Sequence, residues 1–264
     1  MGEVHAPAGV AAESAASRFT REILPAIAPR ASDLLLELMK PPSGCADAVA
    51  EVRHDQAPVT EQHAANAQDE YLAMGNAARK LGVVPDMLRP SCADMAAIER
   101  AKDDVVDVSL TTIARLAREQ GTRLVERDAN SDADREKAVV LYGGMLHNEL
   151  APAPGTAPWT YAPALAAAAE QAGGRFVAVD LIVPAYVGVD ATWRKLPWFP
   201  RYERLKQAAA SGAKRARAEG AAGDAASGEH PATLFRLRQA SGAGGASGAG
   251  GATGAGGAGG AGEP

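Results

Sequence analysis

Aromatic residues and cysteines are scarce in this sequence. Phe, Trp and Tyr make up 5% of its 264 residues, and there are two cysteines, Cys45 and Cys92. Because neither cysteine belongs to a Cys-x-x-Cys pair, a structural zinc site of that type is excluded. Each cysteine lies beside prolines and serines that are typical of loops. Two unlinked thiols are the interpretation we favour, and a disulfide between the two loops is the alternative.

Long hydrophobic runs and dense basic stripes are also missing. No apolar stretch reaches the roughly 18 residues that a membrane-spanning helix needs, and no basic segment followed by an apolar one marks a signal peptide. The net charge is −5, and no basic patch with interleaved aromatic residues indicates a nucleic-acid surface. A Gly-x-Ser-x-Gly elbow, a Walker loop and a dinucleotide fingerprint are absent as well. The sequence therefore predicts neither a nucleic-acid partner nor a transmembrane segment.

The composition changes along the chain. Residues 1–205 hold the Leu, Ile, Val and Met clusters that can form a core, and we assign them to one α/β domain. Residues 206–231 form a low-complexity insertion, and residues 232–238 alternate like an edge strand. Residues 239–264 repeat Gly and Ala. We predict that this tail is disordered, because it cannot bury enough apolar surface to offset the entropy of ordering it.

Apolar runs that alternate with helical patterns predict a mostly parallel central sheet with helices on both of its faces. The strand candidates are residues 33–39, 122–126, 138–142 and 175–183. Residues 108–120 are predicted to form a helix that stops at Gly121, and residues 85–88 a turn or short helix. Ser91 has the place of a helix N-cap. No apolar strand precedes Gly2, so we expect the first strand, and any export signal with it, to be missing from the sequence as printed.

Two Gly-x-x-His motifs carry the strongest functional signal. They are Gly2-Glu3-Val4-His5 and Gly144-Met145-Leu146-His147, and the second follows an apolar strand directly. Ligands of open α/β sheets bind beyond the carboxyl ends of the strands, and glycine lets the backbone approach a ligand closely. We therefore expect both imidazoles to face one polar site. A structural histidine at 147 and a frayed terminus at His5 are the alternatives. We expect Glu3 to point to the other face and to orient the backbone, unless the turn begins at this residue.

Charged residues near the other strands are candidates for the same site. Glu37 lies inside an apolar strand, and burying a carboxylate without a partner is costly. It either faces the site or forms a structural salt bridge. Arg127 and Asp128 follow the strand candidate at 122–126 and are a third contributor. We interpret His54 and His63 as surface residues.

The residue types allow two kinds of chemistry. Two imidazoles with a carboxylate suit zinc, manganese or cobalt, with His5, Glu37 and His147 as metal ligands. A divalent metal would lower the pKa of a bound water molecule. In the alternative, His147 or His5 acts as a general base with Glu37 as its partner.

The set of motifs resembles the ChaN/Tiki/erythromycin-esterase superfamily. The resemblance covers residues 2–147 and includes Leu36-Glu37-Leu38-Met39, the Arg127-Asp128 step and the strand that leads to His147. It implies an α/β fold with a catalytic site made of His5, Glu37, Arg127 and His147. Tiki-like members resemble metal-dependent peptidases, erythromycin-esterase-like members hydrolyse a lactone with an activated water, and ChaN-like members are bacterial haem-binding lipoproteins.

The resulting expectation is a metal-dependent or general-base hydrolase that acts on a small-molecule or peptide substrate. A non-catalytic haem- or metal-binding protein is the first alternative, and a relative that keeps the motifs only for folding is the second. The sequence leaves a homodimer open. As printed it predicts a cytoplasmic protein, and an exported or lipid-anchored one if a signal precedes residue 1.

Overall fold

A six-stranded sheet forms the centre of the fold. The computed structural model describes residues 1–61, 63, 65–187, 194, 199–219 and 234–239. The strands, in chain order, are β1 (Gly2–Glu3), β2 (Ala31–Met39), β3 (Val84–Leu88), β4 (Ala138–Gly144), β5 (Val177–Ile182) and β6 (Leu234–Gln239). Their order in the sheet is β3-β2-β4-β1-β5-β6. Strands β1 to β5 are parallel to their neighbours and β6 is antiparallel to β5, which confirms the predicted, mostly parallel sheet.

Eight helices accompany the sheet in the described part of the chain. They are α1 (Ala15–Arg18), α2 (Leu24–Ile27), α3 (Ala46–Thr60), α4 (Ala67–Lys80), α5 (Cys92–Arg100), α6 (Val105–Ala129), α7 (Ala162–Gln171) and α8 (Phe199–Glu219). A π-helical turn joins α1 to α2, with Pro25 in the first turn of α2. Ser91 caps α5 in a capping box with Asp94, as its place before the helix predicts. None of these helices is both long and apolar enough to span a membrane.

Strand β2 shows why the sheet is covered on both faces. Leu34 and Leu36 belong to a buried cluster with Phe19, next to α1, α2 and α4. Leu35 belongs to a second cluster with Leu116 of α6, on the opposite face. Successive strand residues point to opposite faces, so a strand covered on both faces needs an unbroken apolar run. That run made β2 recognisable in the sequence.

The predicted strand at 122–126 is wrong. These residues continue helix α6, which runs through Gly121 without stopping. A β-carbon on Gly121 would lie 2.9 Å from Cδ2 of Leu165, so the glycine allows α7 to approach α6 closely. We interpreted the same glycine as a helix end. The predicted turn or short helix at 85–88 is also wrong, because these residues belong to edge strand β3.

The two cysteines form a disulfide, so our preference for unlinked thiols is wrong. Cys45 ends the turn before α3, and Cys92 begins α5. Their Cα atoms are 5.4 Å apart, which is an ordinary separation for a disulfide. The disulfide was the alternative interpretation, and it joins the turn before α3 to the first residue of α5.

The C-terminal part of the chain is described in two pieces. Helix α8 passes through the boundary drawn at residue 205, and Phe199 and Tyr202 of this helix pack on Ile182 of β5. Strand β6 adds an antiparallel edge to β5. The predicted disordered tail lies outside the described residues, apart from its first position, 239.

Candidate functional site

Three of the four predicted site residues meet at one end of the sheet. Strands β2, β4 and β1 are neighbours and parallel, so their carboxyl ends lie side by side. Glu37 is near the end of β2, His5 follows β1, and His147 lies in the 3₁₀ turn after β4. The parallel topology therefore brings together residues that are more than 100 positions apart in the chain.

Glu37 and His147 form a buried carboxylate–imidazole pair. Nε2 of His147 lies 3.3 Å from Oε1 of Glu37, and the Gly144 N–H donates to Oε2 at 2.6 Å. The other ring nitrogen, Nδ1, contacts the carbonyl oxygen of Trp159, so Nδ1 carries a hydrogen and donates it there. His147 is only 1% exposed and stacks on Tyr161. The Trp159 carbonyl and Tyr161 therefore fix the ring, and Nε2 faces Glu37.

Burial and charge act in opposite directions on the pKa values of this pair. Burial lowers the pKa of His147, but the neighbouring Glu37 carboxylate outweighs burial and raises the pKa above its usual 6.5. Burial raises the pKa of Glu37, but the charge and hydrogen bond of His147 more than offset this and lower it. Each partner therefore stabilises the charged form of the other.

Glu3 and His5 form a second pair, which the sequence analysis missed. Glu3 is buried and accepts hydrogen bonds from the hydroxyls of Tyr71, at 3.0 Å, and Tyr142, at 2.7 Å. Nδ1 of His5 lies 3.3 Å from Oε1 of Glu3. The expectation that Glu3 points away is wrong, because residues two positions apart on an extended segment share a side. Burial lowers the pKa of His5, but Glu3 and Glu37 together raise it above 6.5.

Two glycines make room for these side chains. A β-carbon on Gly143 would lie 2.0 Å from Oε2 of Glu37, where no atom fits. A β-carbon on Gly144 would lie 3.4 Å from Nε2 of His5 and 3.7 Å from both carboxylate oxygens of Glu37. Nε2 of His5 and the Glu37 carboxylate therefore face the same small space above Gly144. Both are reachable from solvent, with exposed fractions of 31% for His5 and 12% for Glu37.

His63 is partly exposed and lies against His5, a contact that the interpretation of His63 as a surface residue did not include. Its ring centroid is 5.1 Å from that of His5, and its backbone forms an isolated bridge with Pro7. Burial and the charge of His5 lower the pKa of His63, so His63 becomes neutral at a lower pH than His5 does. Nothing in the polar segment around His63 indicates this placement, which comes from the contact between two loops. His54, in contrast, is exposed on α3, as predicted.

Arg127 does not belong to the site. It lies in the last turn of α6, and its guanidinium forms ion pairs with Asp33 and Asp128. Asp33 precedes Glu37 by four residues on β2, which places it roughly 13 Å away along the strand. Helix α6 leads into the start of β4, so its end lies at the amino ends of the strands. We predicted that Arg127 joins the site because it follows a strand candidate at 122–126, but these residues are helical.

The donor set does not fit a metal ion. Among the described residues, no group of three or more His, Cys, Asp or Glu side chains is arranged to hold one. Both ring nitrogens of His147 already have partners, Glu37 and the Trp159 carbonyl, so its imidazole offers no free nitrogen to a metal ion, and each oxygen of Glu37 already has one partner. A cavity of about 1340 Å³ that could take a large cofactor lies at the other end of the sheet, and neither His5 nor His147 lines it.

The chain matches no protein-family model, no curated protein and no solved structure. The resemblance to the ChaN/Tiki/erythromycin-esterase superfamily therefore stays a prediction from the motifs themselves.

Proposed function

We propose that this protein is a hydrolase in which His5 is the general base and Glu37 orients the attacking water. The observation that carries the proposal is the space above Gly144, which Nε2 of His5 and the Glu37 carboxylate both face. The substrate class is a small-molecule or peptide ester, lactone or amide, since attack by water on a carbonyl group needs a base and an orienting acceptor.

The Glu3–His5 pair prepares the base. Nδ1–H of His5 donates a hydrogen bond to Glu3, which leaves the lone pair on Nε2, directed away from Glu3. Tyr71 and Tyr142 hold the Glu3 carboxylate, and burial keeps both hydroxyls protonated by raising their pKa values well above 10. Glu3 is a positioning residue in this scheme, with the orienting role that a carboxylate has beside a catalytic histidine.

The proposed step keeps atoms and protons in balance. A water molecule above Gly144 donates one hydrogen to Nε2 of His5 and the other to Glu37, and its free lone pair attacks the carbonyl carbon. The first proton moves to His5 as the new carbon–oxygen bond forms. His5 then returns this proton to the leaving alcohol or amine as the old bond breaks, so that an acid and an alcohol or amine are released.

His147 acts through Glu37. Its contact with the Trp159 carbonyl and its burial fix the ring, and Nε2 then fixes one oxygen of Glu37. The Gly144 N–H fixes the other oxygen. Replacement of His147 therefore disturbs the orientation of the water and not the base itself.

Non-catalytic metal or haem binding is the weaker candidate. It requires the same residues to release their present partners, because Glu37 and His147 are already paired with each other and with the backbone. Metal addition and chelation belong in the test as separate measurements.

The test compares His5→Gln with His54→Gln, a matched change at an exposed histidine on α3. Each chain is assayed on a panel of aryl esters, lactones and peptides, with and without a chelator. Loss of the base should lower kcat about 10²–10⁴-fold in His5→Gln, and His54→Gln should resemble the parent chain.

Two results would contradict the proposal. One is a parent chain that hydrolyses no member of the panel, with folding verified by its thermal transition. The other is a hydrolysis that His5→Gln leaves intact. If chelation abolishes activity and zinc or manganese restores it, the metal-dependent mechanism replaces the general-base mechanism.

A further inference from the structure

A large cavity lies at the amino ends of the strands, at the end of the sheet away from His5 and Glu37. Its volume is about 1340 Å³. Its walls include the first residues of β4 and β5 together with parts of α6 and α7, and most of the lining side chains are apolar. They include Val125, Val139, Leu141, Leu165, Val177 and Val179.

The cavity lies between β4 and β5, where the two-residue strand β1 does not extend far enough to separate them. Gly2 of β1 pairs with Gly143 of β4 and with Asp180 of β5. By this register Met1 falls opposite Tyr142 and Val179. Four residues of β4, Ala138 to Leu141, and two of β5, Val177 and Ala178, continue beyond β1. No strand in the described part of the chain lies between these two segments.

In the described part of the chain, both segments pair with a strand on their far sides, and on the cavity side the Leu141 carbonyl accepts from the Met1 nitrogen. Residues 138–142 of β4 pair with β2, and residues 177–182 of β5 pair with β6. The edges that face the cavity therefore present backbone groups to it. Backbone N–H and C=O groups inside a protein are nearly always paired, and the gap that one parallel strand would fill accommodates one extended segment.

The nitrogen of Met1 already takes part in this pattern. It donates to the carbonyl oxygen of Leu141, and the Gly143 N–H donates to the Met1 carbonyl oxygen at 3.1 Å. These are the bonds of a parallel ladder. As a free amino group, however, this nitrogen loses its hydration, and burial lowers its pKa from 8.0 to about 5. A peptide amide at the same place would make the same bond without a charge to bury.

We propose that the cavity is an acceptor slot for a four-residue extended segment that continues β1 through the Met1 nitrogen, parallel to β4 and β5. The four positions lie opposite Ala138, Val139, Val140 and Leu141. Both faces of the slot are covered, with Ile27 on one side and Leu165 on the other. Four β-branched or other apolar residues therefore suit it, as in other strands buried on both faces.

The slot is connected to the proposed catalytic site by strand β1. This strand has two residues and carries Glu3, and His5 follows it directly. A longer strand would hold both residues by additional ladder bonds. Occupation of the slot is independent of hydrolysis and can be measured without a substrate.

The experiment compares three chains. The first is the present one, the second carries Val-Ile-Val-Val between a new initiator methionine and Met1, and the third carries Gly-Ser-Gly-Ser at the same place. The apolar extension should raise Tm by about 5 °C or more, and the Gly-Ser extension should leave it near the parent value. Hydrogen exchange at the amides of residues 138–141 and 177–178 should slow about tenfold or more with the apolar extension alone.

Two outcomes would overturn the proposal. One is equal Tm values and equal exchange rates for the two extensions. The other is binding of a different occupant, a long-chain fatty acid, which we test with palmitate. If palmitate stabilises the present chain and the Val-Ile-Val-Val extension does not, the cavity is a ligand site and not a strand slot. Because neither measurement uses hydrolysis, failure here is distinguishable from failure of the proposed mechanism.

Discussion

The two ends of the sheet hold buried carboxylates in different ways. At the carboxyl ends of the strands, Glu3 and Glu37 each face an imidazole at 3.3 Å. At the amino ends, Asp33 and Asp128 share the guanidinium of Arg127. An arginine stays charged wherever the protein is folded, whereas histidines titrate near neutral pH.

The comparison assigns different roles to the two ends. The arginine end has a fixed charge, and Asp33 is only 1% exposed, so its contribution is to stability. The imidazole end has two groups that can gain and lose a proton, and one of them, His5, is reachable from solvent. Of the two ends, the imidazole end is better suited to general acid–base chemistry near neutral pH. Four substitutions test that division, beginning with the pair of largest expected effect.

Two isosteric changes on the same strand separate the ends most sharply. Glu37→Gln replaces an oxygen that orients the water by an amide group and should lower kcat about 10²–10⁴-fold. Asp33→Asn, the matched control four residues earlier, should leave kcat within about twofold and lower the free energy of unfolding by about 1–3 kcal/mol. Steady-state kinetics and urea unfolding measure the two effects. An equal loss of kcat in both variants, with both folded, would contradict the division.

The pH dependence tests the role of Glu3. Glu3 and Glu37 raise the pKa of His5 above 6.5 against the effect of burial. Since the neutral form is the base, kcat/KM should rise as pH passes through this raised pKa. Glu3→Gln removes one raising partner while burial remains, so the midpoint should move to lower pH.

Stability should change in the opposite direction. A histidine whose pKa is raised by folding stabilises the folded state fully below 6.5 and loses that contribution as pH rises through the raised value. The Tm advantage of the parent chain over Glu3→Gln should therefore shrink across that window. A midpoint that does not move in Glu3→Gln would remove Glu3 from the mechanism.

The smallest effect is expected for Arg127→Gln. The resemblance implies a catalytic arginine, whereas the structure places this side chain with Asp33 and Asp128. The guanidinium is 52% exposed, so screening by solvent limits its contribution to about 1 kcal/mol of stability. We expect kcat within about twofold of the parent. A large loss of kcat with an unchanged Tm would restore Arg127 to the site.

The sequence predicted those parts of the fold whose apolar patterns are long. Strands β2 and β4 have unbroken apolar runs, and the parallel arrangement that follows brings His5, Glu37 and His147 together. Edge strand β3 was missed because Pro85 and Asp86 interrupt its pattern. The predicted end of α6 was too early, because a glycine in the sequence can either end a helix or, as Gly121 does here, let another helix pack closely.

Site residues that depend on contacts between distant segments were not predictable. Tyr71 reaches Glu3 from α4 across 68 positions, and His63 reaches His5 through the contact of two loops. Neither has a spacing relative to the Gly-x-x-His motifs that a single sequence could reveal. Glu3 was within reach of prediction, because its two-residue spacing from His5 puts both on one side of an extended segment.

The disulfide between Cys45 and Cys92 has a consequence for the covalent connectivity of the molecule. The bond closes a ring that contains α3, α4 and edge strand β3. A single protease cut anywhere inside this ring leaves both fragments attached, and they separate only after reduction. The outermost strand of the sheet is therefore secured to the rest of the protein by two covalent routes.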